Sequence, residues 1–345
     1  MDLAVLVVNA GSTSLKLHLV RGDEAEPVDS FAVDCEAAGH RVVHGGARFR
    51  EPVVLDEEVK DAIRELSSLA PLHNEPALEA IEAAQHALPD VPHVAVFDTA
   101  FHATLPEEAA VYAVPRHWTE EWGVRRYGFH GISVQWSAQR VPVPRLVVCH
   151  LGGGCSVTAV RNGRSVETTM GFSPLEGVPM TTRSGSIDPG ALLYLLRERG
   201  LGVADLDRAL EHESGLKGLS GRSGDVRELE EAEAAGDERA RLALAVYVHR
   251  IAAAVAASAA ALGGLDALVF TAGVGEHSAA VRERVCTRLA FLGVALDAAA
   301  NAAADADTDV AAQGSPVRVH VVRAREELVI ARAVRALLGD RPAAT

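Results

Sequence analysis

Apolar residues occur along the chain in two patterns, and together these predict an α/β protein. Five apolar runs have the length of buried strands: residues 3–8, 93–97, 146–151, 265–270 and 317–322. Between the runs, apolar residues recur at helical spacing, most clearly over residues 56–69, and this spacing predicts helices. Further helices are expected at residues 77–87, 190–199, 204–212, 237–262 and 325–338. Residues 23–27 are expected to form a turn, followed by a short strand near residues 30–33.

The first strand ends in a glycine- and hydroxyl-rich turn that runs from Asn9 to Lys16. Its backbone N–H groups, three hydroxyls and one ammonium can face a single anion, although Walker A spacing is absent. An ordinary hairpin with a polar turn accounts for this stretch equally well. A second strand, glycine turn and strand begin near His150, and this repetition indicates a duplicated domain. Two polar hairpins that arose by chance are the alternative.

Several single residues are candidates for chemistry. Asp98 follows the strand at residues 93–97, and ligands gather at the carboxyl ends of strands in open α/β sheets. A helix N-cap is the other role for an Asp in this position. His130 lies between glycines and follows two arginines, so it can approach phosphate oxygens, although a lone histidine is usually structural. Arg183 lies in a long loop, where a guanidinium can reach a phosphoryl group.

Composition narrows the class of protein. At 345 residues, with 48% hydrophobic and only 4% aromatic residues, the chain is expected to form about two domains with aliphatic cores. A net charge of −14 argues against a nucleic-acid partner. We expect no signal peptide and no membrane span, and the four cysteines lack the spacing of a metal site or a disulfide scaffold. A soluble protein of the reducing cytoplasm fits these features best.

Eleven short blocks span almost the whole chain in order: Asn9–Lys16, Gly39–Gly46, Pro71–Asn74, Phe97–His102, Arg125–Gly131, His150–Gly154, Gly171–Gly177, Thr182–Gly185, Ile187–Pro189, Phe270–Glu276 and Glu326–Ala331. Their ordered set resembles the acetate kinase family of short-chain carboxylate kinases, which lies within the actin-like ATPase superfamily. The resemblance implies a duplicated actin-like ATPase (ribonuclease H-like) fold with two domains and a central cleft. It places the domains at residues 1–102 plus 328–345 and at residues 103–327, and it implies a homodimer.

The resemblance also implies a reaction. Acetate, or a close short-chain carboxylate, would take the γ-phosphoryl group of ATP reversibly, giving an acyl phosphate and ADP. Mg²⁺ would be required, with Mn²⁺ as a possible replacement. A carboxylate is already a competent nucleophile, so the site must mainly neutralise charge and align the reactants.

Matching residues take their roles from the resemblance. Catalytic roles fall to Asp98, His130 and Arg183. Substrate binding falls to Arg41, with Val43, Leu72, Phe129 and Pro174 around the alkyl group. Metal placement falls to Asn9 and Glu326. Nucleotide binding falls to Ser12, Ser14, Lys16, His150, Leu151, Gly152, Gly153, Gly154, Asp225, Val226, Arg227, Gly273, Val274, Gly275, Glu276 and His277. The role of Asp98 stays open between orienting an arginine and binding metal-bound water.

The chain departs from the family pattern near the phosphates, the metal and the nucleotide. Gly153 and His277 replace asparagines, Ser186 replaces an aspartate, and Arg325 replaces an asparagine. The first domain is also short, since only 24 residues separate Lys16 from Arg41. Propionate, another short acid, or a pyrophosphate donor therefore stay open.

Two rival functions also stay open. A sugar kinase of the same superfamily would need a polar pocket, whereas the expected pocket is apolar. A nucleotide-sensing module without catalysis would follow if the replacements abolished transfer.

Overall fold

The computed structural model describes residues 3–10, 15–68 and 71–339, apart from the side chains of residues 68 and 71–73. The chain divides into two compact units. The first comprises Met1–Thr104, Ala113–Trp136 and Arg325–Thr345, and the second comprises Leu105–Tyr112 and Ser137–Ala324. The domain bounds predicted from the sequence differ from these units mainly at residues 113–136, which pack with the first unit.

The first unit is built on one six-stranded sheet. Its strands are β1 (Val5–Ala10), β2 (Leu15–Arg21), β3 (Glu24–Val28), β4 (Ala37–Val42), β5 (Val53–Val54) and β6 (His93–Phe97). They lie in the order β3-β2-β1-β4-β6-β5. The first three form an antiparallel meander, β4 and β6 add parallel strands beside β1, and β5 closes the edge antiparallel to β6.

The second unit repeats this sheet strand for strand. Its strands are β7 (Arg145–Leu151), β8 (Cys155–Arg161), β9 (Arg164–Thr168), β10 (Ala267–Thr271), β11 (Thr308–Asp309) and β12 (Arg318–Val321). Counted from the meander, their order is β9-β8-β7-β10-β12-β11, and each pair has the same direction as its counterpart in the first sheet. The duplication that the two glycine turns indicated is therefore present at the level of whole sheets.

Helices connect and cover the strands. In the described part of the chain they are α1 (Glu57–Glu65), α2 (Pro71–Ala87), α3 (Glu107–Ala110), α4 (Arg116–Glu120), α5 (Gly131–Arg140), α6 (Pro189–Glu198), α7 (Val203–His212), α8 (Gly215–Ser220), α9 (Val226–Ala234), α10 (Glu238–Leu262), α11 (Ala272–His277), α12 (Ala279–Arg288), α13 (Ala298–Ala302) and α14 (Glu326–Gly339). Short 3₁₀ turns lie at Leu66–Ser68, Ala100–Thr104 and Ala290–Leu292.

Sequence patterns account for the central elements. Strands β6 and β10 are buried at every position, as expected of parallel strands covered on both faces. Helix α1 begins where the Asp56 carboxylate accepts from the Val59 N–H, which satisfies one of the unpaired donors of the first turn. Helix α14 packs so closely on β4 that a Cβ at Gly39 would lie 2.7 Å from Ile330 Cγ2. Only glycine leaves room for that approach.

Helix α10 is the long apolar helix expected at residues 237–262. The helix has 25 residues, and the mean hydropathy of its most apolar 18-residue stretch is 1.6, which would allow it to cross a membrane by length and composition alone. It packs against β7, β8, α9 and α12 in the second unit. Half of its most apolar stretch is buried. Asp237 caps its start and Gly263, at φ +72°, ends it. Core helices of folded domains have these same properties.

Three sequence predictions are wrong in detail. A turn was expected at residues 23–27, but Glu24–Val28 form the edge strand β3, and the strand expected near residues 30–33 is not formed. Helix α2 begins at Pro71 instead of residue 77 and includes Pro76. Asn74 accounts for the early start, because its amide accepts from the His44 N–H and donates to the His44 carbonyl, each at 3.1 Å.

Candidate active site

Four predicted site residues of the first unit form one hydrogen-bonded network. Asn9 lies near the end of β1, Arg41 on β4, Asp98 directly after β6, and Glu326 at the first position of α14. Arg41 Nε lies 3.1 Å from both carboxylate oxygens of Asp98, and Arg41 Nη1 donates to Asn9 Oδ1 at 3.1 Å. Asn9 Nδ2 donates to Glu326 Oε2 at 2.9 Å. The predicted substrate arginine and the predicted metal residues thus share one cluster.

Burial and charge act together on the central pair. The Asp98 side chain is 1% exposed and that of Arg41 is 14% exposed. Burial opposes the charged form of Arg41, but the Asp98 and Glu326 carboxylates outweigh it and raise the Arg41 pKa. Burial raises the pKa of Asp98, and the Arg41 charge opposes that shift. Since Arg41 engages both oxygens of Asp98, the geometry favours the orienting role that the sequence left open.

His130 is held beside this network by the backbone. The Gly131 N–H donates to the Asp98 carbonyl at 3.0 Å, and a Cβ at Gly131 would lie 2.1 Å from that oxygen. His130 itself has φ +58°, which is costly for a residue with a side chain. The buried His102 donates from Nε2 to the Phe129 carbonyl at 2.9 Å and so fixes the preceding residue. Strain of this kind persists only where neighbours enforce it.

Two predicted substrate residues line a buried part of the first unit. Val43 is 4% exposed and Phe129 is 1% exposed. The His44 ring meets the Phe129 ring edge to face, with 5.4 Å between centroids. The Leu72 side chain lies outside the described residues. Pro174 is buried in the second unit.

Arg183 is anchored within the second unit. Its Nε pairs with Glu211 Oε2 at 2.9 Å, and its Nη1 donates to the Pro174 carbonyl at 3.3 Å. Residues 169–188 contain neither helix nor strand, as expected, so these bonds orient the guanidinium where no regular element can. The loop therefore brings together two predicted site residues, Pro174 and Arg183.

The predicted phosphate turn of the second unit joins β7 to β8. Across it, the Gly152 N–H donates to the Gly154 carbonyl at 3.0 Å, and the Gly153 carbonyl accepts from the Thr181 N–H at 3.3 Å. No atom of the described chain lies within 4 Å of a Cβ built at Gly153, so a side chain would fit there. His150 and Leu151, at the end of β7, are buried.

In the first unit, Lys16 is exposed on β2. It lies opposite Asn9 in the antiparallel register of β1 and β2. Ser12 and Ser14 lie outside the described residues.

The nucleotide residues Asp225, Val226 and Arg227 begin helix α9. Asp225 is its N-cap and accepts from the Arg227 N–H at 2.9 Å. Arg227 Nη2 also pairs with Asp225 Oδ2 at 2.6 Å, on a side chain that is 83% exposed. Val226 is buried. A capping role therefore accounts for the Asp225 contacts in this structure.

The predicted nucleotide-binding segment Gly273–His277 lies in a helix. Gly273, Val274, Gly275, Glu276 and His277 all lie in α11, which follows β10 without a loop. Ala272, at φ +65°, makes that sharp change of direction. Glu276 Oε1 accepts from the N–H groups of Ala272 and Ala324, at 3.0 and 2.9 Å. Because glycine is unfavourable inside helices, two glycines in six residues gave no helix signal.

Sequence reasoning missed Arg282 on α12, which supports α11. This arginine is 1% exposed, and its Nη1 donates to the carbonyls of Gly275 and Glu276 at 3.0 and 2.8 Å. Its Nε donates to Asn301 Oδ1 at 2.8 Å. Burial lowers the Arg282 pKa. An arginine in a polar helix normally lies on the surface, so no sequence signal marks this one.

A buried histidine pair was also missed. His40 lies next to Arg41 on β4, and His40 Nε2 is 2.9 Å from His93 Nδ1. His93 Nε2 lies 3.0 Å from the Leu88 carbonyl, so that nitrogen carries the proton and Nδ1 accepts from His40. Burial lowers the pKa of His40 to about 3. The two histidines are 53 residues apart in sequence, and only the parallel pairing of β4 with β6 brings them together.

Comparison with known proteins agrees with this arrangement. A family model described as the Acetokinase family matches residues 24–332. An acetate kinase of Nostoc punctiforme is 52% identical over 324 residues, which cover 92% of this chain and 80% of the relative. An acetate kinase of Microcystis aeruginosa is 46% identical over 353 residues, which cover 96% of this chain and 88% of the relative.

Solved structures resemble the fold over nearly its whole length. Porphyromonas gingivalis acetate kinase has a TM-score of 0.89 at 35% identity, with 97% of this chain and 99% of that chain covered. A propionate kinase of Francisella tularensis has a TM-score of 0.88 at 34% identity, with 96% and 99% covered.

The family model and the relatives named acetate kinase show that this duplicated α/β fold is that of a carboxyl-group phosphotransferase. The chain belongs to the acetokinase family. This confirms the resemblance, the fold class and the enzyme class predicted from the sequence.

Proposed function

We propose that this enzyme transfers the γ-phosphoryl group of ATP reversibly to acetate and releases acetyl phosphate and ADP. Relatives named acetate kinase, at about half identity over most of the chain, support acetate as the acceptor. Propionate is the second candidate, because one similar structure is a propionate kinase. The observation that carries the proposal is the Asp98–Arg41–Asn9 contact, which presents one fixed guanidinium at the strand ends.

Arg41 is the proposed anchor for the substrate carboxylate. Within the described part of the chain, Asp98 and Asn9 accept from three of the five N–H groups of Arg41. The other two N–H groups can donate to a substrate. Paired N–H groups of arginine match the two oxygens of a carboxylate. Val43, Leu72, Phe129 and Pro174 are the proposed lining for the alkyl group. An apolar lining favours short acids over sugars.

Asp98, His130 and Arg183 are the proposed catalytic residues. In this proposal Asp98 orients Arg41 and does not act as a base. The substrate carboxylate needs no base to attack the γ-phosphorus of ATP. His130 and Arg183 would stabilise the charge on the transferring phosphoryl group, which is where this chemistry needs positive charge. The proposed nucleotide residues are those of the first glycine turn with Lys16, of residues 150–154, of residues 225–227 and of helix α11.

Asn9 and Glu326 fit Mg²⁺ held mainly through water. Mg²⁺ takes oxygen ligands and usually keeps several waters beside one or two carboxylates and the substrate phosphates. Among the described residues no group of three or more His, Cys, Asp or Glu side chains is arranged to hold a metal ion. Asn9 Oδ1 accepts from Arg41, so Asn9 can keep that bond while a water lies between it and the metal. When bound, Mg²⁺ or Mn²⁺ would neutralise phosphate charge.

Trapping of the product tests the proposed reaction. Acyl phosphates react with hydroxylamine to give hydroxamates, which we would measure with one- to four-carbon carboxylates, each with ATP or pyrophosphate. We expect most product with acetate and ATP, and little with Arg41→Ala. Arg241→Ala is the control, because Arg241 is 60% exposed and pairs with Glu238 on its own helix. No product from any pair would refute the proposal, and product from pyrophosphate alone would refute ATP as donor.

We also propose that two copies associate through helices α6 and α7. In the described chain neither helix has a buried residue, although α6 is mostly apolar. Leu193 on α6 is 47% exposed and Val203 on α7 is 78% exposed. A second copy would cover this surface. Leu193→Glu should give monomers in sedimentation, whereas Phe291→Glu, at an exposed apolar residue elsewhere, should leave dimers; monomeric wild type would refute the proposal.

A cytoplasmic location is part of the proposal. It is supported by four free cysteines, of which Cys149, Cys155 and Cys286 are buried.

A further inference from the structure

The hydroxyl of Tyr112 contacts the active-site loop, residues 169–188, at two points. Tyr112 ends the short segment Leu105–Tyr112, which belongs to the second unit. Its oxygen accepts from the Phe172 N–H at 3.0 Å, and its O–H donates to Glu176 Oε2. A phenol has one donor and accepts through its lone pairs, so both bonds can form together. The tyrosine therefore holds the loop two residues before and two residues after Pro174.

The loop closes tightly around this tyrosine. A Cβ at Gly171 would lie 2.0 Å from the Tyr112 hydroxyl and 1.7 Å from Glu176 Oε2. A side chain at residue 171 would therefore displace the Tyr112 hydroxyl and the Glu176 carboxylate from this contact. The turn from residue 171 to residue 177 is thus folded around the phenol, although it contains no helix or strand of its own.

A chain of contacts leads from this turn to Arg183. The Pro174 carbonyl lies between the two points that Tyr112 holds, and it accepts from Arg183 Nη1 at 3.3 Å. Glu211 holds the other side of the same guanidinium through Nε at 2.9 Å. Both contacts help to orient Arg183, and the one to the Pro174 carbonyl depends on where the Pro174 turn lies.

We propose that Tyr112 is a positioning residue for phosphoryl transfer: it fixes the Pro174 turn, and through the Pro174 carbonyl the Arg183 guanidinium, and so sets how sharply the site distinguishes short carboxylates. The proposal rests on the proposed function, in which Pro174 lines the alkyl pocket. Tyr112 touches neither substrate in this scheme. Loss of its hydroxyl leaves the ring packing in place and frees the turn, which then admits longer acids and holds Arg183 less firmly.

Hydrogen exchange tests the contact without any assay of activity. Tyr112→Phe removes both bonds and retains the ring. We expect backbone amides of residues 171–177 to exchange at least tenfold faster in this variant, while those of β7 and β8 stay unchanged. Unchanged exchange across the turn would overturn the proposed anchoring, whether or not the wild type makes acyl phosphate.

Kinetics test the effect on specificity. For Tyr112→Phe we expect kcat/KM with acetate to fall about tenfold, the size of one hydrogen bond to a charged group. The ratio of kcat/KM for acetate to that for butyrate should fall several-fold, and the KM for ATP should stay within about twofold. If Tyr112 had a merely structural role, its substitution would lower kcat/KM for all acids by the same factor. This result would overturn the proposal. Absence of product from the wild type would instead refute the proposed function.

Glu176 provides the matched variants. Glu176→Gln keeps an acceptor for the Tyr112 hydroxyl and should retain most of the acetate preference, whereas Glu176→Ala should resemble Tyr112→Phe. The double variant Tyr112→Phe/Glu176→Ala should be little worse than either single one, because both remove the same anchor. Fully additive losses would overturn the proposal. Thr287→Val is the control, since it removes an exposed hydroxyl that donates to the Glu283 carbonyl on α12.

Discussion

Asp98 and Arg41 form a buried ion pair in which the carboxylate engages two nitrogens of the guanidinium. Arg41 Nε lies 3.1 Å from each Asp98 oxygen, and Nη2 lies 2.5 Å from Oδ2. An arginine held along two bonds has one orientation, which is what recognition of a carboxylate requires. Each partner also provides a counter-charge for the other, so we expect the proposed function and the stability to depend on the same contact.

Removal of the Asp98 charge should therefore lower both activity and stability. Asp98→Asn retains the shape of the side chain but leaves Arg41 with only the Glu326 carboxylate, 3.8 Å from Nε, as a counter-charge. We expect the free energy of unfolding to fall by about 3–5 kcal/mol in urea titrations. The KM for the carboxylate should rise at least tenfold, because Arg41 loses its orientation.

Asp61→Asn is the control for this experiment, since Asp61 pairs with Arg64 on the surface and is 68% exposed. A loss above about 1 kcal/mol in the control, or none in Asp98→Asn, would contradict the distinction between buried and exposed pairs.

Substitution of Arg183 should affect turnover more than folding. Arg183→Ala removes one positive group from the transition state, and we expect kcat to fall by about 10²–10³-fold. Arg183→Lys should recover little, because an ammonium cannot satisfy both Glu211 and the Pro174 carbonyl as the guanidinium does. Steady-state kinetics beside a circular-dichroism melt would measure both effects. Near-normal kcat in either variant would exclude Arg183 from the chemistry.

Buried histidines should make folding sensitive to acid. Burial, and for His40 also the nearby His93, lowers the pKa of His40 to about 3; burial lowers that of His102 to about 4. The unfolded value is about 6.5, so between about pH 4 and 6.5 the unfolded chain binds more protons and stability rises with pH. We expect each histidine to contribute a loss of up to about 1.4 kcal/mol per pH unit below about 6.5.

Urea unfolding at several pH values between about 5 and 7 would measure this loss. His102→Gln provides the comparison, because it retains an N–H donor for the Phe129 carbonyl but does not titrate. Its stability should fall less steeply with acid than that of the wild type. Equal slopes would show that His102 is protonated in the folded protein.

Two glycines near the candidate site should respond differently to a methyl group. In Gly131→Ala the new Cβ would lie 2.1 Å from the Asp98 carbonyl, so the backbone that carries Asp98 and His130 must shift. We expect a loss of at least about 1–3 kcal/mol in stability together with lower activity. Gly153→Ala meets no atom of the described chain within 4 Å and should fold normally. Equal melting temperatures for the two variants would contradict this contrast.

The sequence predicted best those elements whose burial is continuous or strictly periodic. Strands β6 and β10 are buried at every position, and a short apolar run between turn residues is typical of such covered strands. Strand β3 was missed because an edge strand that carries Glu24 and Glu26 has the composition of a turn. Helix α2 was shortened because its early residues include two prolines, and tertiary bonds from Asn74 to the His44 backbone hold them in place.

The family resemblance names candidate site residues, but it does not give the contacts that hold them. The pairing of Asn9 with Glu326 joins residues 317 positions apart, and no local pattern encodes it. Arg282 and Tyr112 each bond to backbone atoms, which any sequence provides, as well as to one side chain distant in sequence. Such contacts can be identified only in the folded structure. They depend on which segments lie close together in space and not on the residue types of the segments that are held.

Helix α14 has a consequence for the order in which the protein is made. Arg335 on this helix donates to the carbonyls of Leu3, Val20 and Gly22, and Glu326 at its start completes the network around Arg41. During synthesis the second unit, which ends at Ala324, has its whole sequence before α14 emerges from the ribosome. The first unit therefore becomes complete only after the second unit has been synthesised, because Glu326 lies more than 280 residues after Arg41 in the sequence.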